Sequence, residues 1–108
     1  MMQVNEIRQQ FNHIEQTIAQ AMQACSNETN VPQDLKQCIQ QMDQQSNQAR
    51  QVMQSQDENQ IVQCVDNLEE LGDRAMRACE QANGISDQVR NAVSQAHREL
   101  SDLKHQLH

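Results

Sequence analysis

Trp and Tyr are absent from this 108-residue chain, Phe and Pro each occur once, and Gly occurs twice. So few aromatic strand formers and so few breakers argue against a sheet architecture and for long helices. No uninterrupted apolar segment approaches the ~20 residues that a membrane-spanning helix needs. No basic leader precedes an apolar run, and the chain starts at Met1, so the expectation is a soluble, cytoplasmic protein with reduced thiols and no membrane partner. Only 8 Lys and Arg stand against 15 Asp and Glu, a formal charge of −7. The cations are interspersed with acids rather than massed on a stripe, so phosphate neutralisation would be weak and nucleic acid is not an expected partner. Also missing are C-x-x-C and Cys/His zinc spacings, the E-x-x-H pairs of di-iron bundles, a Gly-rich phosphate loop and a nucleophile–base arrangement. The expectation is therefore a non-enzyme with no catalytic residue, no bound cofactor and no identified small-molecule substrate.

What is present is glutamine, 22 residues of it, in a chain that is 36% hydrophobic. Such a composition can mark a disordered polar tract, but apolar residues here recur at helical spacing from Val4 to Leu107. Val4, Ile7, Phe11, Ile14, Ile18, Ala21 and Cys25 alternate steps of three and four, the a/d seam of a bundle helix. Pro32 suits the first turn of a second helix that carries Leu35, Cys38, Ile39, Met42, Ala49, Val52 and Met53. Ser55 and Glu58 have capping-box spacing ahead of a third seam formed by Ile61, Val65, Leu68, Gly72, Ala75, Cys79 and Ala82. Arg74 and Arg77 fall late in that helix, and Glu70/Arg74 and Asp73/Arg77 are acid-first i,i+4 pairs. Asn83-Gly84 is a stop signal, and Ser86 can cap a last helix through Val89, Val93, Ala96, Leu100, Leu103 and Leu107. The helices are expected at about 3–26, 32–54, 57–82 and 86–106, in one domain.

Ala21-Met22-Gln23-Ala24-Cys25 recurs as Ala75-Met76-Arg77-Ala78-Cys79, an offset of 79 − 25 = 54 residues. The same offset pairs Ile7 with Ile61, Ile14 with Leu68, Glu15 with Glu69, Leu35 with Val89 and Ile39 with Val93. The chain therefore reads as an internal repeat, 1–54 and 55–108, of one helical hairpin. Short loops make successive helices antiparallel, and the fold expected is an all-α, up-down-up-down four-helix bundle of two tandem hairpins. Folding each hairpin symmetrically about Asn30 and Gly84 places Cys25, Leu35, Cys79 and Val89 in one layer. Met22, Cys38, Met76 and Ala92 form the next, and Ile18, Met42, Gly72 and Ala96 a third. In that third layer the small residues would accommodate the large ones and account for a glycine inside a helix.

Those layers collect sulfur at one end. Met22, Cys25, Cys38, Met76 and Cys79 are soft ligands of the kind that favour Cu(I), which makes a Cu(I)-binding or thiol-responsive bundle one expectation. The plainer one is that free Cys packs as a small hydrophobe and Met fills gaps in a core without aromatics. Cys64 lies near the opposite end, beside the seam. His105 and His108 near the C-terminus read as solvated, and Asp66, Glu69, Glu70 and Asp73 as a solvated acidic face. With no catalytic constellation, long Gln-rich amphipathic helices suit a scaffold acting through a protein partner or a homodimer.

Overall fold

The computed structural model describes residues 3–55, 57–82 and 84–108; Met1 and Asn83, half of the expected stop signal, lie outside it, as does the side chain of Val4. Four helices follow one another, α1 (Val4–Ser26), α2 (Gln33–Ser55), α3 (Glu58–Gln81) and α4 (Asp87–Leu107), with no strand among the described residues. At about 1.5 Å per residue each helix is long enough to run along the 41 Å axis of a molecule only 21 × 18 Å across. Around the bundle α1 packs on α2, α2 on α3, α3 on α4 and α4 back on α1, while the diagonal pairs make no close backbone approach among the described residues. Cross-helix pairs fix the antiparallel sense. Arg8 reaches Met53 and Glu15 reaches Arg50 between α1 and α2, Asp73 reaches His97 between α3 and α4, and Gln10 reaches Gln106 between α1 and α4. No helix is long and apolar enough to cross a membrane among the described residues.

The helix ends differ in detail from the expected caps. The N-cap of α3 is Asp57, whose Oδ1 accepts from Asn59 N at 3.1 Å and Gln60 N at 3.3 Å. Ser55 instead ends α2, donating to Val52 O and accepting from Asp57 N, so the Ser55/Glu58 capping box does not form. A carboxylate that satisfies two orphan amides and carries a charge favoured by the helix dipole outcompetes a hydroxyl two residues earlier. Ser86 caps α4 as expected, accepting from Val89 N at 3.2 Å, and its hydroxyl also donates to Glu28, tying the α3–α4 loop to the α1–α2 loop. Gly84 has φ +85°, the left-handed conformation that a side chain would strain. Cations at the C-termini of α2 and α3 come from neighbouring helices: Arg8 of α1 donates to Met53 O of α2, and Arg90 of α4 to Ala82 O just beyond α3.

The core runs the length of the bundle. The first and third expected layers lie in it, since Cys25, Leu35, Cys79 and Val89 are buried, as are Ile18, Met42, Gly72 and Ala96. The second layer is displaced: Met22, Cys38, Met76 and Ala92 are half-buried against the core's flanks. The residues buried at that height are Ala21, Ile39, Ala75 and Val93. Each precedes or follows its half-buried counterpart by one residue, which turns a side chain about 100° around its helix.

Duplication extends beyond the apolar seam to its charges. Glu15 of α1 pairs with Arg50 of α2, and Glu69 of α3 pairs with Lys104 of α4 at 3.0 Å. Each position of the second pair is 54 residues beyond its counterpart in the first. In both, the glutamate side chain is 10% exposed while the cation reaches over it from the partner helix of the same hairpin.

Candidate functional site

Three features of the bundle could carry chemistry or recognition: the sulfur-rich end, the groove between α1 and α4, and a charged cluster between α3 and α4.

All four cysteines are free thiols, and three of them, Cys25, Cys38 and Cys79, lie at the sulfur-rich end. Cys25 and Cys79 are buried on diagonal helices, near enough that a charge on Cys25 would bear on Cys79. Burial first, and then Cys25, push the Cys79 thiol up to about 11. Burial also raises Cys25, Cys38 and Cys64 above the ordinary thiol range. Met22, Cys38 and Met76 stay on the flanks, so the five sulfur residues are not gathered at one point inside the core. Met22 and Cys25 do line a surface depression of about 230 Å³ together with Lys36. The thiolate is the form that binds soft metals, and these surroundings favour the protonated thiol.

The α1–α4 groove holds two depressions in line, each about 420 Å³. One is lined by Gln20, Gln23, Asn27, Gln88, Asn91 and Gln95, and the other by Gln9, Gln10, His13, Glu99 and Gln106. Glu99 anchors the second through Oε2, which accepts from His13 Nε2 at 3.0 Å and Gln95 Nε2 at 3.2 Å. The carboxamides of the lining offer both donors and acceptors, and Glu99 and Asp102 add acceptors to the second depression.

The charged cluster corrects the reading of the acidic run as a solvated face. Glu70 is exposed and pairs with Arg74 at 3.3 Å as the i,i+4 spacing predicts, but Glu69 points inward and is buried. Its Oε1 accepts from Lys104 Nζ at 3.0 Å, and its Oε2 stands 3.7 Å from His97 Nε2. Asp73, one turn along α3, pairs with His97 rather than with Arg77; its carboxylate can only accept, so His97 Nε2 carries the proton it donates. One ligand-capable atom from each of Glu69, Asp73 and His97 lies within 4.8 Å of the others. Near the C-terminus Asp66 accepts from His108 at 2.9 Å, while His105 Nδ1 donates to Ser101 O. Both histidines are exposed, as expected.

Gly72 explains how His97 fits. A Cβ on Gly72 would meet His97 Cδ2 at 3.2 Å and His97 Cα at 3.5 Å, so the missing side chain is what lets α4 and its imidazole lie against α3. The sequence expectation that Gly72 is buried and serves packing holds, but the residue it accommodates is His97.

Burial works against a charged Asp73, yet the hydrogen bond from His97, followed by the His97 and Arg77 charges, outweighs it and holds its carboxyl below the usual carboxylate range. The hydrogen bond and charge of Glu69 raise Lys104 above the usual lysine range. A depressed carboxyl stabilises the fold above its unfolded pKa of about 3.9, and that contribution disappears as pH falls through the lower folded value. Asp73→Asn should therefore lower unfolding free energy by about 0.5–1 kcal/mol near neutrality, the scale of a partly exposed pair. Urea melts across an acid series should show that difference shrinking below about pH 4; a difference that stays constant would remove Asp73 ionisation from the stability balance.

No protein family, curated protein or solved structure matches this chain.

Proposed function

We propose that this chain is a noncatalytic helical-bundle protein that acts by contact with another protein, as a scaffold or as a homodimer. The observation that carries the proposal is the α1–α4 groove, where two depressions of about 420 Å³ lie on the seam that closes the bundle, one lined mostly by Gln and Asn and the other by Gln with His13, Glu99 and Asp102. Most large apolar side chains are spent on the core, so a partner would be held by hydrogen bonds of carboxamides to its backbone and polar side chains, together with the apolar surface that Ile14, Ala24 and Ala92 contribute to the depressions. Photo-crosslinking tests this. Benzoylphenylalanine in place of Gln9 or Gln88, which line the two depressions, should give one discrete adduct, while the same group in place of the exposed Gln44 on α2 or Gln63 on α3 should not. An adduct of twice the chain mass identifies the homodimer. Equal adducts from all four positions, or none from any, overturn the proposal.

A second reading, a Cu(I)-binding or thiol-responsive bundle using Met22, Cys25, Cys38, Met76 and Cys79, is favoured by the shared depression that Met22 and Cys25 line. Anaerobic Cu(I) titration against a competing chelator separates it from the first. Tight, saturable binding lost on replacing Cys25, Cys38 and Cys79 by Ser supports it; equal binding by wild type and variant rules it out.

A further inference from the structure

We propose that Glu69, Asp73 and His97 form a Zn²⁺ site between α3 and α4, with three protein ligands and one position left open to water. It goes beyond the contact function and uses none of its residues. The three side chains supply two carboxylate oxygens and one imidazole nitrogen within 4.8 Å of one another. Zinc bonds to such ligands are about 2.0–2.2 Å long, and tetrahedral geometry then separates the ligand atoms by roughly 3.3–3.6 Å. The 3.7 Å between Glu69 Oε2 and His97 Nε2 is close to that span, while Asp73 and His97, now in direct hydrogen bond, would move apart to admit the ion. Mg²⁺ and Ca²⁺ prefer oxygen donors alone and more of them, whereas imidazole with carboxylate suits Zn²⁺ among available divalent ions. The ion's charge would more than offset the two carboxylates, one of which Lys104 already balances. His97 would shift its proton from Nε2 to Nδ1 to free the ligating lone pair.

Two independent observations separate this cluster from an ordinary ion-pair network. One is the division of labour on Glu69: Lys104 holds Oε1 at 3.0 Å and leaves Oε2 toward His97, so the lysine can orient the ligand without occupying the site. The other is the comparison between hairpins. The first hairpin keeps the ion pair as Glu15 with Arg50, but at the positions equivalent to Gly72, Asp73 and His97 it carries Ile18, Ala19 and Asp43. Only the second hairpin has the additional carboxylate, the imidazole and the glycine that admits it, and that glycine is a residue which a helix interior ordinarily penalises. His97 and Asp73 remain 26% and 39% exposed, which leaves a path for the ion and a face for water.

The test uses the full chain stripped of metal, titrated with Zn²⁺ against a chromogenic chelator, with Co²⁺ as a spectroscopic substitute. One ion per chain should bind, and His97→Gln and Asp73→Asn should each weaken binding at least tenfold. Replacing all four cysteines by Ser, or His108 by Gln, should leave affinity within about twofold. The wild-type Co²⁺ spectrum should lack thiolate charge-transfer absorption, and long-range ¹H–¹⁵N spectra should show the His97 ring nitrogens moving on Zn²⁺ addition. These two readouts need no variant and decide the matter even if His97→Gln folds poorly. A thiolate band, an unmoved His97 ring, binding undiminished in both ligand variants, or no saturable binding overturns the site.

Discussion

Gly72→Ile should destabilise the bundle by about 3 kcal/mol, at the upper end of what overpacking costs, whereas Gly72→Ala should change stability by less than about 1 kcal/mol. The difference follows from which atoms stand in the way. An alanine Cβ meets first a ring carbon of His97 at 3.2 Å, and an imidazole can yield by a few tenths of an ångström. Its crowding is offset by the roughly 1 kcal/mol that Ala gains over Gly inside a helix. Isoleucine, the residue at the equivalent position in the first hairpin, projects beyond Cβ toward His97 Cα, which lies 3.5 Å away and moves only if α4 moves. Urea unfolding should show a lower midpoint at unchanged slope. The double variant Gly72→Ile/His97→Ala should recover at least half of the loss, because the cavity left by the imidazole can take the new side chain. If Gly72→Ile melts with Gly72→Ala, or if His97→Ala recovers nothing, the glycine is not there to admit the histidine.

The four helices and their order were legible in the sequence because apolar spacing and turn residues act locally. The repeat also made helix register legible, since a symmetric hairpin fixes which residues share a height. Height is only half of a position. Met22, Cys38, Met76 and Ala92 sit at the height expected of them, yet Ala21, Ile39, Ala75 and Val93 face the axis there. One residue along a helix rotates the side chain off the seam. The charged cluster was hidden for another reason. A glutamate in an acidic run looks solvated until the cation that covers it is known, and Lys104 is 35 residues from Glu69 along the chain. A signal was nevertheless present. The 54-residue offset that pairs Glu15 with Glu69 also pairs Arg50 with Lys104, so two glutamates each have a cation at the same separation in the partner helix. His97 had no such counterpart, because Asp43 occupies its position in the first hairpin. Its pairing with Asp73 in place of Arg77 depends on the close helix approach at Gly72, which spacing alone does not reveal.

Cys79 should react with iodoacetamide at ~pH 8 roughly 200-fold more slowly in the folded chain than in urea, from ionisation alone. A thiol in the unfolded chain has a pKa of about 8.5 and is about one-quarter thiolate at that pH. In the fold, burial and the neighbouring Cys25 push Cys79 up to about 11, which leaves about one thiolate in a thousand. Cys38 and Cys64 are only half-buried, so peptide mass spectrometry should find both alkylated before Cys25 and Cys79. The same displacement links pH to stability. A raised thiol pKa favours the fold fully below the unfolded value near 8.5, and that contribution is lost as pH rises through the folded value, so all four thiols make the bundle weaker in alkali. Replacing Cys79 by Ser should reduce this alkaline loss. The result also weighs on the copper reading, since Cu(I) at Cys25 and Cys79 must displace protons that the core holds firmly, giving an affinity that rises steeply with pH. If Cys79 instead reacts as fast as Cys64, the buried thiol pair opens readily, and the sulfur-rich end is a reactive site rather than the packing of a core without aromatics.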